Sequence, residues 1–443
     1  MSGIIFQLLG LTLLSLLPIA SLVYFSSLQV LGINHESSYF AVWSVIVWFI
    51  PLALLLPNFI RRQMTITAID VMFCLVSVLL AVHLKVFTLA AGLRDWVLLV
   101  TFWIGPYAAA RLVSVQDITR FLKILGAITL TVSAATIAWQ ISMQLTVGNN
   151  LRPLMLGINH GVLIVALALG MFVTIQASGA SEKKSSATWM RPIIAALVTA
   201  ELVVLGARGV VIAIIASSLL MVLAPVRDGR RGRIAAFAAI LIGASLALIL
   251  NNVARDFMVR AYLPLEQPAG AGIPTESLKA DVPRESVKQV SKEECDKLSK
   301  MVDSTPIRLW LIREGFSLFQ DTPVFGIGFD NFAAYTCPGS FPHSTILQAF
   351  VEMGAIGGIA YVLMLGAATF SLIVLAIDRT SRSAIVVLAL LSFFIILDQF
   401  YGRIPLSSTI GLFLGFSATL VTRSDLPYLR GWHIRSSEKL WVR

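Results

Sequence analysis

Apolar runs of about 20 residues recur along nearly the whole chain, each bounded by charges or turn residues, and this recurrence constrains the fold more than any other feature. A helix that crosses about 30 Å of hydrocarbon needs roughly that many apolar residues. Twelve runs are read, near 4–26, 39–60, 65–86, 96–113, 121–144, 160–178, 192–206, 209–226, 234–252, 355–377, 383–401 and 404–422. The seventh and eighth are divided at Arg208, although Glu201 to Ala224 also suits one interrupted helix. Composition points the same way, with 57% hydrophobic and 13% charged residues, against about 25% charged in soluble domains. A soluble multidomain protein, extensive disorder and a soluble nucleic-acid binder are excluded. The expected class is all-α, a polytopic membrane protein with about 12 transmembrane helices.

The net charge of +10 reads as the excess of Lys and Arg in cytoplasmic loops. With the N-terminus inside, Arg61, Arg62, Arg111, Arg120, Lys123, Lys183, Lys184, Arg227, Arg230, Arg231, Arg233, Arg379 and Arg382 fall in the cytoplasm. The opposite short loops hold only scattered cations such as Arg94, Arg152 and Arg403. Both termini are then cytoplasmic. Met1 to Val30 lacks a basic leader and a small-residue cleavage site, so it reads as a retained first helix.

This threading divides the chain into helices 1–9 over 1–252, an extracytoplasmic loop domain over 253–342, helices 10–12 over 343–422 and a cytoplasmic tail over 423–443. The loop domain, between helices 9 and 10, holds 12 acidic and 10 basic residues, enough polarity to stand outside the membrane. It also holds Cys295 and Cys337. In an oxidising compartment these two can pair, closing a loop worth on the order of 4 kcal/mol; two free thiols are the alternative. Cys74 lies apart, inside an apolar run.

No GxxxxGK[ST], strand-following GxGxxG, HExxH, CxxC or Asp-x-Asp pattern occurs. Nucleotide hydrolysis and zinc catalysis therefore lack their residues, and neither a metal nor a cofactor is expected. Three other features can carry chemistry. Arg208 interrupts an apolar run at Leu205-Gly-Ala-Arg-Gly209. A guanidinium facing lipid there costs several kcal/mol, so it faces protein, water or an anion. An ion pair with Glu201, seven residues back, is the structural alternative.

The second feature is Arg308-Leu-Trp-Leu-Ile-Arg313, opening an amphipathic helix that leads into Thr322-Pro-Val-Phe-Gly-Ile-Gly328-Phe-Asp-Asn-Phe332. The planar fork of Arg suits a diphosphate. Five residues apart, Arg308 and Arg313 cannot both face one site, and interfacial snorkelling explains either equally well. The third is Pro342-His343-Ser344, opening a helix that continues through Glu352 and Gly354. A histidine at a membrane boundary can take a proton from a hydroxyl, or merely neighbour a helix cap. Glu352, nine residues on, reads as a structural hydrogen-bonding group.

Taken in order, Gly-Ala-Arg208-Gly, Arg308 ahead of Pro323-Val-Phe-Gly-Ile-Gly328, and His343-Ser-x-x-Leu347 continuing to Glu352-x-Gly354-x-x-Gly357 resemble the O-antigen ligase and polymerase superfamily. The resemblance implies a GT-C-like membrane glycosyltransferase of the bacterial inner membrane, with its active site facing the periplasm. It implies an undecaprenyl-diphosphate-linked O-antigen as donor and, for a chain with one large outer loop, lipid A-core oligosaccharide as acceptor. On that basis Arg208 and Arg308 are assigned to the diphosphate, with Arg313 and Arg152 as weaker candidates, and His343 to the acceptor hydroxyl. The family's usual His-Asn is His343-Ser344 here, which puts in doubt any role for a side-chain amide at the second position. Membrane lipid is the remaining partner, and nucleic acid is not one. An O-antigen polymerase, a protein O-oligosaccharyltransferase and, from another class, a lipid or solute transporter stay open. Against the transporter, the halves show no internal repeat.

Overall fold

The computed structural model describes residues 5–16, 49–56, 65–86, 92–147, 159–178, 190–224, 229–250, 304–336, 342–379, 381–401 and 408–422. Arg152, Cys295 and Cys337 lie outside the described residues. Within them the secondary structure is helical, without strands. The helices are α1 (Ile5–Leu16), α2 (49–56), α3 (Ala68–Val86), α4 (Leu93–Leu98), α5 (Gly105–Leu112), α6 (Val115–Val147), α7 (Asn159–Ala177), α8 (Met190–Val204), α9 (Arg208–Leu223), α10 (Arg230–Leu250), α11 (Ser304–Asp321), α12 (Phe332–Tyr335), α13 (Thr345–Arg379), α14 (Arg382–Tyr401) and α15 (Ser408–Thr422). A π-helical stretch, Leu99–Ile104, joins α4 to α5. Five described segments are long and apolar enough to cross a membrane: Ala68–Val86, Val115–Ala135, Arg230–Leu250, Thr345–Ile377 and Arg382–Phe400.

The helix α3 shows why the surroundings are lipid. Ile69, Phe73, Val76, Leu80 and Leu84 recur at three- and four-residue steps and are buried in the bundle. The outer face carries Val71, 56% exposed, and Val78, 52% exposed, with Leu75 and Val82 beside them. A helix bathed in water would place polar residues there, whereas hydrocarbon accepts valine and leucine without cost. At the other extreme, all residues from Ile410 to Val421 in α15 are buried, and that helix packs against α5, α13 and α14.

Close helix contact depends on small residues. A Cβ on Gly243 of α10 would lie 2.1 Å from the Ala196 carbonyl oxygen of α8, so the two backbones touch there. Between α8 and α9 the chain turns over three residues, Leu205 to Ala207, with Gly206 at φ 70°. Only glycine adopts that left-handed geometry without strain. The break therefore falls immediately before Arg208, dividing the stretch from Glu201 to Ala224 into two helices. The helix expected to open after His343 begins at Thr345, and a break at Gly354 separates its first turns from the tenth apolar run that follows from residue 355.

Polar contacts gather at two ends of the bundle. At one, Asp70 forms an ion pair with Arg111 at 2.9 Å and accepts from the Tyr107 hydroxyl at 2.6 Å. Arg111 also donates to the Thr65 carbonyl at 2.9 Å, so both half-buried charges are engaged. Gln7 donates to Asp117 at this end too. These residues all fall on the cytoplasmic side of the threading above; the opposite end holds Arg208, Arg308 and His343.

Candidate functional site

The far end is organised by a backbone exchange between a loop and a broken helix. Gly354 interrupts α13 with φ 67° and ψ −171°. An unbroken helix would bond Ala355 N–H to the Val351 carbonyl. Here Ala355 donates instead to the Pro323 carbonyl at 2.7 Å, and Val351 accepts from Ile327 N–H at 3.0 Å. Gly328 N–H adds a third bond, to the Glu352 carbonyl at 3.0 Å. Residues 323–328 thus form a strap that satisfies the groups freed by the break.

Glycine is required on both sides of this contact. A Cβ at Gly326 would stand 2.5 Å from the Val351 oxygen, and one at Gly354 would stand 2.1 Å from the Val324 oxygen. Both residues also have positive φ, near 70°. From α3, His83 sets Nε2 against the Phe325 carbonyl at 3.0 Å and Nδ1 against the Leu79 carbonyl at 2.8 Å, mooring the strap to a third helix.

The fully buried Glu352 carboxylate accepts three hydrogen bonds, from Asp330 N–H at 2.9 Å, Phe332 N–H at 3.2 Å and Gln348 Nε2 at 2.9 Å. Its work is to fix the chain leaving the strap and the start of α12. Leu311 and Leu318 of α11 pack with Phe332 and Val351, and Leu347 closes against the same cluster. That packing lays α11 across the first half of α13 and brings Arg308 toward the turn before it.

His343 occupies that turn, just outside the helix, with φ 56°. A non-glycine residue in this region is uncommon and needs its surroundings to hold it. Ser344 provides part of the hold: its Oγ accepts the Leu347 N–H at 3.3 Å as an N-cap and donates to Gln399 Oε1 of α14 at 2.8 Å. Capping is a role that serine and asparagine both fill. Burial, and then the Arg308 guanidinium, hold the His343 imidazole down from its ordinary 6.5 to about 4. The ring is neutral at physiological pH, and among the described residues no hydrogen bond engages it.

Arg308 is half-buried with Nε shielded from solvent, whereas Arg313 is exposed. Arg208 is also half-buried with a shielded Nε. It opens α9, which packs along α14, and Val210, two residues on, meets Phe393 of α14 over Gly170. No ion pair joins Arg208 to Glu201, because the turn at Gly206 interrupts their shared helical face. The Glu201 Oε1 is buried without a hydrogen-bond partner among the described residues.

The arrangement thus sets cationic groups and a neutral imidazole at one end of an apolar bundle. Residues 193–362 match the family model described as O-antigen ligase. Over this segment the chain is similar to the O-antigen ligase family. The segment spans most of α8, all of α9 to α12 and the first half of α13, and contains Arg208, Arg308, Arg313, His343 and Glu352. His83 and Gln399, which hold its strap and turn, come from outside it. No curated protein matches the chain. Among the described residues no three His, Cys, Asp or Glu side chains gather as a metal site.

Sequence reasoning missed Gln399 and His83. The available signal was a polar side chain within an otherwise apolar helix, which in a membrane marks a residue with a specific partner. The partners themselves lie 55 and 242 positions away and carry no local mark.

Proposed function

We propose that the protein is an O-antigen ligase, moving O-antigen polysaccharide from undecaprenyl diphosphate to lipid A-core oligosaccharide at the periplasmic face of the inner membrane. The observation that carries this reading is Arg308 beside a neutral His343 inside the segment similar to the O-antigen ligase family. A neutral imidazole can accept a proton, and a guanidinium beside it can bind a diphosphate.

In the reaction, an acceptor hydroxyl oxygen attacks the anomeric carbon as the bond from that carbon to the diphosphate oxygen breaks. The hydroxyl proton passes to His343, and the leaving lipid diphosphate takes the bonding electron pair. Arg208 and Arg308 stabilise the charge growing on that oxygen, so the step needs no metal in this reading. Arg313, exposed on α11, is a weaker candidate for the diphosphate. Arg152 remains a weaker diphosphate candidate, and a Cys295–Cys337 disulfide would brace the outer loop. Binding the donor also offsets the positive charge that weakens His343 as a base, so the base strengthens when the donor is present.

Complementation tests the acceptor. The gene is placed in one strain lacking its ligase and another lacking its O-antigen polymerase, each making a compatible glycan and core. A lipopolysaccharide ladder restored only in the ligase-deficient strain is expected. Restoration only in the polymerase-deficient strain would transfer the same donor chemistry to a second lipid-linked glycan, and restoration in neither, with the protein inserted, would refute both.

A further inference from the structure

The hydrogen bonds around His343 end on a residue of another helix. Ser344, the next residue, donates from Oγ to Gln399 Oε1 at 2.8 Å. The Gln399 amide in turn donates from Nε2 to Thr345 Oγ1 at 3.3 Å and to the Ile395 carbonyl of its own helix at 2.8 Å. The last bond fixes the amide plane against α14; the first two engage the two residues that follow His343. No other described side chain reaches both Ser344 and Thr345.

This matters because the His343 backbone is left-handed, at φ 56°. A histidine relaxes from that conformation unless both flanks are held. Before it, Pro342 is buried and has a fixed φ. After it, the capped start of α13 is held by Gln399, across 55 positions of sequence. The amide therefore sets where the imidazole sits relative to α14, and so relative to the end of α9 that carries Arg208.

We infer that Gln399 is a positioning residue for His343, fixing the turn that carries the imidazole by tying the first two residues of the following segment to the end of α14. Its effect on turnover rests on the reading of His343 as the base. Its effect on the turn does not.

The test uses the full-length protein in nanodiscs, comparing wild type with Gln399→Leu, Gln399→Glu and His343→Ala. Hydrogen exchange is followed by mass spectrometry on a peptide covering residues 342–350, and transfer is measured with lipid-linked glycan and core acceptor. In Gln399→Leu, exchange in that peptide should rise at least tenfold while peptides from α3 and from α13 beyond Gly354 stay unchanged. The kcat should fall 10- to 100-fold with donor KM moving less than about threefold, the pattern of a misplaced group rather than lost binding. Gln399→Glu keeps an oxygen acceptor for Ser344 and should recover part of both effects. Combining Gln399→Leu with His343→Ala should cost no more than His343→Ala alone, because Gln399 acts through the imidazole.

Unchanged exchange in a folded Gln399→Leu protein would overturn the inference, and so would raised exchange with unchanged kcat. Normal turnover in His343→Ala would remove the base reading, and the exchange comparison alone would then decide whether Gln399 sets the turn.

Discussion

The electrostatic pairing of Arg308 with His343 yields a prediction that can be read without any substrate. Replacing Arg308 by Gln removes a charge but leaves the burial of the imidazole in place. The depression from 6.5 to about 4 corresponds to on the order of 3 kcal/mol between the two protonation states. Burial is the larger of its two causes, so the guanidinium accounts for less than half, roughly one pH unit or less. Diethyl pyrocarbonate acylates neutral imidazole, and its rate at His343 as a function of pH, followed by peptide mass spectrometry, reports the titration. The wild-type midpoint should lie near 4. In Arg308→Gln it should rise yet stay below 6.5. The fold accepts the neutral ring, so the unfolded chain binds the proton more tightly between these values. Stability is therefore lost as pH falls from 6.5 toward 4, and the variant narrows that window. A wild-type midpoint at or above 6.5, or a variant whose midpoint stays put or falls, would refute the argument.

Three further outcomes are expected. Arg208→Ala should insert and fold but lose about 10²- to 10³-fold in transfer, as expected for one donor to a developing oxyanion; normal lipopolysaccharide from this variant would remove Arg208 from the site. Gly354→Ala should sharply lower the melting temperature in detergent, since its Cβ meets the Val324 oxygen at 2.1 Å, whereas Gly366→Ala in the same helix, with nothing within 4 Å, should be neutral or slightly stabilising. Glu352→Ala strands three hydrogen-bond donors and should cost about 3 kcal/mol or more, seen as faster proteolysis around residues 322–336.

How much of this was legible in the sequence varies with the range of the interaction. Apolar run length marks α3, α10 and α14 because hydrocarbon must be matched residue by residue. The division at Arg208 was read from a charge in an apolar run, with one interrupted helix left open, and the turn at Gly206 decides for two helices. The helix opening after His343 was expected too, whereas its break at Gly354 was not, because the groups that replace the lost helical bonds come from residues 323–328, more than 20 positions earlier. The Pro-Val-Phe-Gly-Ile-Gly motif was recognisable as a pattern, but its task became clear only once Gly326 and Gly354 were seen in contact. Glu352 showed itself as a structural group, while the identity of its donors depended on a loop returning to it. Arg308 and Arg313 were separable as alternatives by helical spacing, but which one lies near His343 depends on the packing of α11 against Leu347 and Val351.

The exchange at Gly354 also bears on how the protein is assembled. Residues 323–328 leave the ribosome before α13, and α13 enters the membrane with the Val351 and Glu352 carbonyls and the Ala355 N–H missing their usual helical partners. At the edge of an apolar layer each unmet group costs several kcal/mol. The helix settles only when the earlier segment has been delivered to the same side and closes over the break. Settling of the helix and completion of the end that carries His343 are thereby linked, and a chain in which residues 323–328 are misplaced is left with a break whose backbone groups are unmet.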